Sequence, residues 1–238
     1  METRAEALLI AWQNPRLVEL HKHKEHIPAK VYEVLERRGF TTLRPCQVKA
    51  IKAGLFEEKN LLVCTPTASG KTLVGELTAL NAILHERGKA VYLVPLRALA
   101  MEKHRQFTRD YPSLKIGVSS GDIDSADEYL IRYDVIIATC EKFDSLLRHK
   151  ASWVRQVKTV IIDEIHLLND ASRGPTLEVV ITILRELLPT VHLIGLSATI
   201  GNPEELAAWL GAELVLDSWR PVELRHGVLV GTALSFKK

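Results

Sequence analysis

The chain has 238 residues, of which 47% are hydrophobic and 25% charged, with 31 Lys and Arg against 29 Asp and Glu. A chain of this length and composition can bury a sizeable core, which excludes disordered, collagenous and coiled-coil classes. The three cysteines are scattered and form no C-x-x-C pair, which indicates reduced thiols and neither a disulfide framework nor a zinc site. Without a long apolar run or a recognisable signal peptide, we expect an intracellular, cytoplasmic protein with no membrane contact.

Residues 1–26 are polar and rich in histidine. We expect them to form an N-terminal extension in which His21, His23 and His26 are solvated and bind no metal. A helix is predicted to begin near Pro28, since proline is favoured in the first turn. From about residue 60, continuous apolar runs alternate with helical patterns, which is typical of strands buried on both faces of a parallel sheet. The predicted strands are Leu61–Cys64, Ala90–Val94, Lys115–Val118, Asp134–Ala138, Thr159–Ile162, His192–Leu196 and Glu213–Leu216.

The segments between these strands carry apolar residues at the spacing of one helix face, first over residues 73–84 and later over residues 177–188. Strands that alternate with amphipathic helices predict an α/β domain, with a parallel sheet flanked by helices on both faces. We assign residues 27–218 to this domain and expect residues 219–238 to be a linker.

The sharpest motif is Thr65–Thr72, which follows one predicted strand directly and opens the next helix. This context is that of a P-loop, whose backbone N–H groups and helix N-terminus hold phosphate oxygens. Gly70 allows close backbone approach, Lys71 is expected to reach the β- and γ-phosphates, and the Thr72 hydroxyl is expected to bind Mg²⁺. The motif departs from the generic pattern at its first position, which is threonine here. The expected phosphate-binding residues are Thr67, Ala68, Ser69, Gly70, Lys71 and Thr72.

Two carboxylates, Asp163 and Glu164, follow the apolar run Thr159–Ile162. The carboxyl ends of parallel strands are where ligands bind in open α/β sheets. We therefore expect Asp163 to hold Mg²⁺, directly or through water. Glu164 is expected to orient or deprotonate the water attacking the γ-phosphate, and with Lys71 and Asp163 it makes up the expected catalytic residues.

With these two motifs in place, the rest of the chain resembles superfamily 2 helicases, specifically their DExH group. Shorter signatures narrow the resemblance to archaeal Hjm-type DNA-repair helicases, which are relatives of Ski-like RNA helicases. The resemblance covers residues 28 to about 225 and implies a RecA-like P-loop NTPase lobe. The segments that carry it are Arg44–Gln47, Thr65–Thr72, Pro95–Ala100, Thr139–Lys142, Asp163–His166, Ser197–Thr199, Arg173–Gly174 and Trp219–Val222, together with Ser120–Asp122.

The resemblance also implies roles for single residues. Gln47 would read the adenine of ATP by bidentate hydrogen bonds. His166, Ser197 and Thr199 would couple the state of the phosphates to the nucleic-acid strand. The expected strand-contacting residues are Arg97, Thr139 and Lys142. Such backbone contacts are nearly sequence-blind, and a local basic track is enough for them despite the small net charge.

In this superfamily ATP lies between two RecA-like lobes, and the second lobe supplies arginine fingers. Residues 223–238 contain one arginine and no further α/β unit. Because a missing arginine finger lowers related phosphoryl-transfer rates by roughly 10³–10⁵, we expect the first motor lobe of a longer helicase, weakly active by itself. The expected partners are single-stranded or forked DNA and a second lobe. Two alternatives remain open: a Ski-like RNA helicase lobe, and a truncated module that binds ATP or strand without hydrolysis.

Overall fold

The computed structural model describes residues 17–121, 127–222, 227–230 and 233–236. Most of the N-terminal extension, together with Asp122, lies outside the described residues. Within the described ranges, no helix has both the length and the apolar character that a membrane span requires.

The centre of the molecule is a seven-stranded sheet in the order β5-β6-β4-β7-β8-β3-β9. All of its neighbouring strands run parallel. Every strand predicted from the sequence belongs to this sheet, with bounds that agree within two residues. The strands are β1 Val18–Glu19, β2 Thr42–Leu43, β3 Leu61–Cys64, β4 Lys89–Val94, β5 Ile116–Ser119, β6 Val135–Thr139, β7 Val157–Asp163, β8 His192–Ser197, β9 Glu213–Leu216, β10 Gly227–Val230 and β11 Ala233–Phe236.

Helices cover both faces of the sheet, and short 3₁₀ segments join several of the elements. The predicted helix near Pro28 is present, with that residue as its N-cap. The α-helices are α1 Ala29–Arg37, α2 Pro45–Lys52, α3 Lys71–Leu84, α4 Arg97–Asp110, α5 Cys140–Arg148, α6 Gly174–Leu187 and α7 Pro203–Leu210.

Two hydrophobic cores lie on opposite faces of the sheet because successive strand side chains point to opposite sides. In β4, Tyr92 belongs to the core beneath α3 and α4, whereas Val91 and Leu93 belong to the core beneath α5 and α6. Burial on both faces explains why the strands are continuous apolar runs in the sequence. The predicted α/β class with helices on both faces is confirmed.

The chain ahead of α1 packs onto the domain. Val18–Glu19 pairs antiparallel with Thr42–Leu43, and Leu20 joins the core beneath α3. His23 is 7% exposed, so the prediction that it is solvated was wrong. Among the described residues no cluster of three metal-ligating side chains is present. Within residues 219–238, β10 and β11 form an antiparallel hairpin. The assignment of residues 27–218 as one domain stays a prediction.

Candidate nucleotide site and strand groove

The Thr65–Thr72 loop connects β3 to α3, and its backbone makes two left-handed steps. Ala68 has φ 65° and Gly70 has φ 101°. A side chain at position 70 would be strained by that φ, and its Cβ would lie 2.6 Å from Gln47 Nε2. Within the loop, the Thr65 and Ser69 hydroxyls are 2.6 Å apart and both residues are buried. The two hydroxyls therefore hold the loop together, and the first N–H groups of α3 lack the partners that N–H groups have in the middle of a helix.

Lys71 lies at the start of α3, and its side chain turns back over the loop. Its Nζ donates to the carbonyl oxygens of Thr65 at 2.8 Å and Pro66 at 3.2 Å. Burial lowers the pKa of Lys71, and the charges of Glu164 and Asp163 oppose that shift. The two carboxylates are thus close enough to act on the lysine, so the fold brings the two main sequence motifs together.

Asp163 ends β7, and its carboxylate is held by two donors. Oδ2 accepts from the Tyr92 hydroxyl at 3.3 Å, and Oδ1 accepts from the Glu164 N–H at 3.1 Å. Burial, and then the charge of Asp163, raise the pKa of Tyr92 well above its usual range, so this phenol remains a donor. Sequence reasoning missed Tyr92. The available signal was a single phenol in the otherwise aliphatic interior of β4.

Glu164 adopts the left-handed conformation at φ 55°, which is uncommon for a residue other than glycine. Its Oε2 lies 3.3 Å from His166 Nδ1, and the same nitrogen lies 3.4 Å from the N–H of Ala198. This nitrogen can donate to Glu164 only when protonated, and can accept from Ala198 only when bare. His166 Nδ1 is thus within reach of both the Glu164 carboxylate and the N–H at the end of β8, and it can bond to one of them at a time.

The two other predicted coupling residues, Ser197 and Thr199, lie on either side of Ala198 and differ in burial. Ser197 is fully buried at the end of β8, and its carbonyl accepts from the Thr65 N–H at 3.2 Å. Thr199 is exposed on the following loop. The end of β8 thus touches both the phosphate loop and His166.

Gln47 lies on α2 beside the phosphate loop and is 4% exposed. Its Oε1 accepts from the Arg44 N–H at 2.8 Å, and its Nε2 donates to the Gly70 carbonyl at 3.0 Å. Arg44 Nη1 also donates to Ala68 O at 2.7 Å. These bonds hold α2 against the loop. The Gln47 amide retains one N–H and one lone pair beyond them.

A pocket of about 880 Å³ joins these elements, within the size range of ligand sites. It extends from the phosphate loop and the β7 carboxylates past Gln47 to Phe40. Thr72 and Asp163 both line it, so a hydroxyl and a carboxylate, the oxygen ligands that Mg²⁺ prefers, face one space. The donor set therefore fits a magnesium–nucleotide complex. Trp219 lines the pocket as well, and its ring centroid is 5.8 Å from Arg44 Cζ.

A separate groove of about 290 Å³ contains all three predicted strand-contacting residues. Arg97 is exposed, and its Nη2 donates to Gly121 O at 3.2 Å. Thr139 caps α5 by accepting from the Lys142 N–H. The Lys142 side chain is 2% exposed, and its Nζ pairs with Asp127 at 3.2 Å. The groove is also lined by Arg173, a cation to which sequence reasoning gave no role.

The sequence model of the DEAD/DEAH box helicase family matches residues 44–206. The chain is similar to the ATP-dependent DNA helicase Hel308 of Pyrococcus abyssi, with 55% identity over 205 residues, and to that of Thermococcus kodakarensis, with 53% identity over 203 residues. Each alignment covers 85% of this chain but only 28% and 18% of the respective relative. The chain therefore spans less than a third of the length of these relatives.

Among solved structures, the fold is similar to that of the DUF1998 helicase MrfA bound to DNA, with a TM-score of 0.69 and 27% identity. That match covers 82% of this chain and 30% of the other. The structure of the same protein bound to DNA and AMPPNP matches with a TM-score of 0.68 and 29% identity, over the same shares of the two chains.

Proposed function

The chain belongs to the DEAD/DEAH box helicase family, and on that premise we propose that it is the ATP-binding motor lobe of an ATP-dependent DNA helicase that acts in repair or in restart of replication. The observation that carries the proposal is the shared pocket of the phosphate loop and the β7 carboxylates. A second groove formed by residues following β4, β5 and β6 supports a strand path at the same edge of the sheet. Relatives of similar sequence are named ATP-dependent DNA helicases.

In this proposal the phosphates of ATP bind along residues 67–72, where the left-handed steps at Ala68 and Gly70 turn the loop around them. Lys71 releases its loop carbonyls to pair with the β- and γ-phosphates, and the proximity of two carboxylates favours its charged form. Thr72 and Asp163 would hold Mg²⁺, which would neutralise charge on the phosphate oxygens.

Glu164 is the proposed catalytic residue, orienting the attacking water or accepting its proton. Its left-handed backbone and partial exposure direct the carboxylate into the pocket beside the phosphate loop. His166, whose Nδ1 can bond to either Glu164 or Ala198, then transmits a change at this carboxylate toward Ser197 and Thr199. These coupling roles belong to the proposal.

The base end of the pocket is proposed to bind adenine between Phe40 and Gln47. Phe40 is half-buried and lines the pocket, so it offers an apolar face for stacking. Gln47 contributes the N–H and the lone pair that its bonds to Gly70 and Arg44 leave over.

For the strand, we assign the principal contacts to Arg97, Thr139 and Arg173, which line one groove. Lys142 is buried against Asp127, so a direct phosphate contact from it would require this ion pair to open. We propose that Lys142 mainly supports the groove. A second RecA-like lobe, for which the greater length of the relatives leaves room, would provide the arginines needed for fast turnover.

The decisive experiment measures binding of a fluorescent ATP analogue and steady-state ATP hydrolysis, with and without single-stranded DNA. We expect magnesium-dependent binding with little turnover by this chain, and no binding would refute the proposed nucleotide site. In an assembly that contains the second lobe, Glu164→Gln should retain binding and lose hydrolysis by about 10²-fold or more. The exposed control Glu178→Gln should retain both.

The substrate is tested by competition between single-stranded DNA and RNA of the same sequence at matched salt, because these affinities depend steeply on ionic strength. Preference for DNA is the expected result. Equal affinity, or a preference for RNA, would contradict the DNA assignment and leave the motor assignment standing.

A further inference from the structure

The segment from Arg38 to Thr42 lines the same pocket as the phosphate loop. Its backbone leaves α1 through Gly39, at φ 77°, and the Phe40 N–H donates to Leu35 O at 3.0 Å. These contacts fix the backbone of the turn. The orientation of the Phe40 ring depends in addition on the side chains that contact it.

One face of the Phe40 ring lies against the Arg38 guanidinium, with Cζ 5.0 Å from the ring centroid. Arg38 Cζ is also 4.8 Å from the centroid of Tyr111. The guanidinium thus contacts two aromatic rings, and such contacts are favourable when they are shielded from water. A side chain that is itself fixed in this position can hold the Phe40 ring in place.

Arg38 is fixed by hydrogen bonds to groups from two other elements. Its Nη1 donates to Glu76 Oε2 at 2.7 Å and to the Tyr111 hydroxyl, and its Nη2 donates to Asp110 Oδ2 at 2.8 Å. Only 17% of the Arg38 side chain is exposed. A planar guanidinium held at both ends by carboxylates has little rotational freedom.

Glu76 is the centre of this network, and it lies on α3, the helix that begins at Lys71. Its carboxylate is 3% exposed and accepts from three side chains: Arg38, Tyr111 at 2.6 Å, and Gln106 at 2.9 Å. A buried carboxylate needs such partners, since an unpaired charge in the interior is strongly destabilising. The network therefore ties the helix behind the phosphates to the turn that carries Phe40.

We propose that Arg38 is a positioning residue for the nucleoside end of the pocket: anchored on Glu76, it holds Phe40 against the base of ATP. This inference rests on the proposed function, because it takes ATP as the occupant. The inference assigns the binding of the nucleoside and the binding of the triphosphate to different residues. The affinity for the nucleoside depends on Arg38, whereas the affinity for the triphosphate alone depends on the phosphate loop.

The test is Arg38→Lys in the 238-residue chain, with titration calorimetry of magnesium-ATP and of magnesium-tripolyphosphate, which has no base or ribose. Lysine keeps the positive charge beside Glu76 but loses the planar face and one arm of the fork. We expect ATP affinity to fall about 10-fold, within the range that base–aromatic stacking contributes. Tripolyphosphate affinity should change less than about twofold. The neighbouring Arg37→Lys, on an exposed side chain, should change neither affinity.

Tyr111→Phe provides a second variant if the lysine variant does not fold. It removes the hydroxyl shared by Arg38 and Glu76 but keeps the ring, and it should lower ATP affinity more than tripolyphosphate affinity. Unchanged ATP affinity in the folded variant, or an equal loss for both ligands, would overturn the inference, because the network would then only support the fold. If the unaltered chain binds tripolyphosphate but not ATP, the proposed function fails first, and this inference fails with it.

Discussion

Gly75 is a position where α3 lies close against the sheet, and replacing it with alanine has two effects of opposite sign on stability. A Cβ at residue 75 would lie 2.9 Å from Ile161 Cγ2, 3.0 Å from Tyr92 Cε2 and 3.3 Å from Leu196 Cδ1. Carbon atoms in favourable contact are about 3.5–4.0 Å apart. The helix must therefore move away from three strands, or the side chains of those strands must shift.

Overpacking of this kind destabilises a core by about 1–3 kcal/mol, whereas alanine gains up to about 1 kcal/mol over glycine in helix propensity. For Gly75→Ala we expect overpacking to prevail by about 1 kcal/mol, because two of the contacts are with fully buried side chains, the β-branched Ile161 and the aromatic ring of Tyr92. That difference corresponds to a melting temperature lower by about 2–4 °C in a domain of this size.

The assay is thermal and urea unfolding followed by circular dichroism. Gly201→Ala is the control, since nothing lies within 4 Å of a Cβ built at that position. It should change the free energy of unfolding by less than about 0.5 kcal/mol. A Gly75→Ala variant that is as stable as the unaltered chain, or more stable, would refute the reasoning from close approach.

Lys71→Ala should abolish nucleotide binding while the melting temperature stays within about 4 °C, since it loses two hydrogen bonds to loop carbonyls and no core contact; collapse of the fold would contradict this. Arg173→Ala should reduce the slope of log affinity for single-stranded DNA against log salt by about 0.7, whereas Arg87→Ala, paired with a glutamate away from the groove, should not; an unchanged slope would remove Arg173 from the strand path. Burial lowers the pKa of His192, against the opposing effect of its bond to Lys59 O. The unfolded chain, with a histidine pKa of about 6.5, therefore binds this proton more tightly than the folded chain does. The contribution of neutral His192 to the stability of the fold is complete above that pH, and it is lost as the pH falls toward the lower pKa that His192 has in the folded chain. In His192→Gln the melting temperature should fall less between pH 7 and 5, and an equal fall would exclude His192 as a cause.

The sheet and the two main motifs were predictable because their signals are local. Buried parallel strands are continuous apolar runs, and a phosphate loop needs its glycine, lysine and threonine side by side. The family resemblance drawn from those motifs is confirmed by the match over residues 44–206. By contrast, β1 and β2 are two residues each, too short to produce a periodic pattern.

The remaining site features depend on contacts between residues far apart in the chain. Arg38 and Tyr111 meet across 73 positions, and nothing in the sequence around either one indicates the other. Lys142 is the last residue of a recognisable motif, yet its ion pair with Asp127 becomes apparent only in the folded chain. The burial of His23 has a similar origin, since the short strand pairing of Val18–Glu19 draws this segment onto the domain.

The position of β3 within the sheet has a consequence for the order in which the protein can be built. β3 carries the phosphate loop, but its two neighbours, β8 and β9, come from residues 192–216. The Leu193 N–H donates to Asn60 Oδ1 across 133 positions, and Ser197 O receives the first N–H of the loop. During synthesis the loop leaves the ribosome long before either flanking strand exists, and closing so long a segment is slow. ATP bound at this loop, as proposed above, is therefore not expected to assist the early stages of folding. A nascent chain that ends before β8 is expected to bind no nucleotide, however much of the earlier sequence is already exposed.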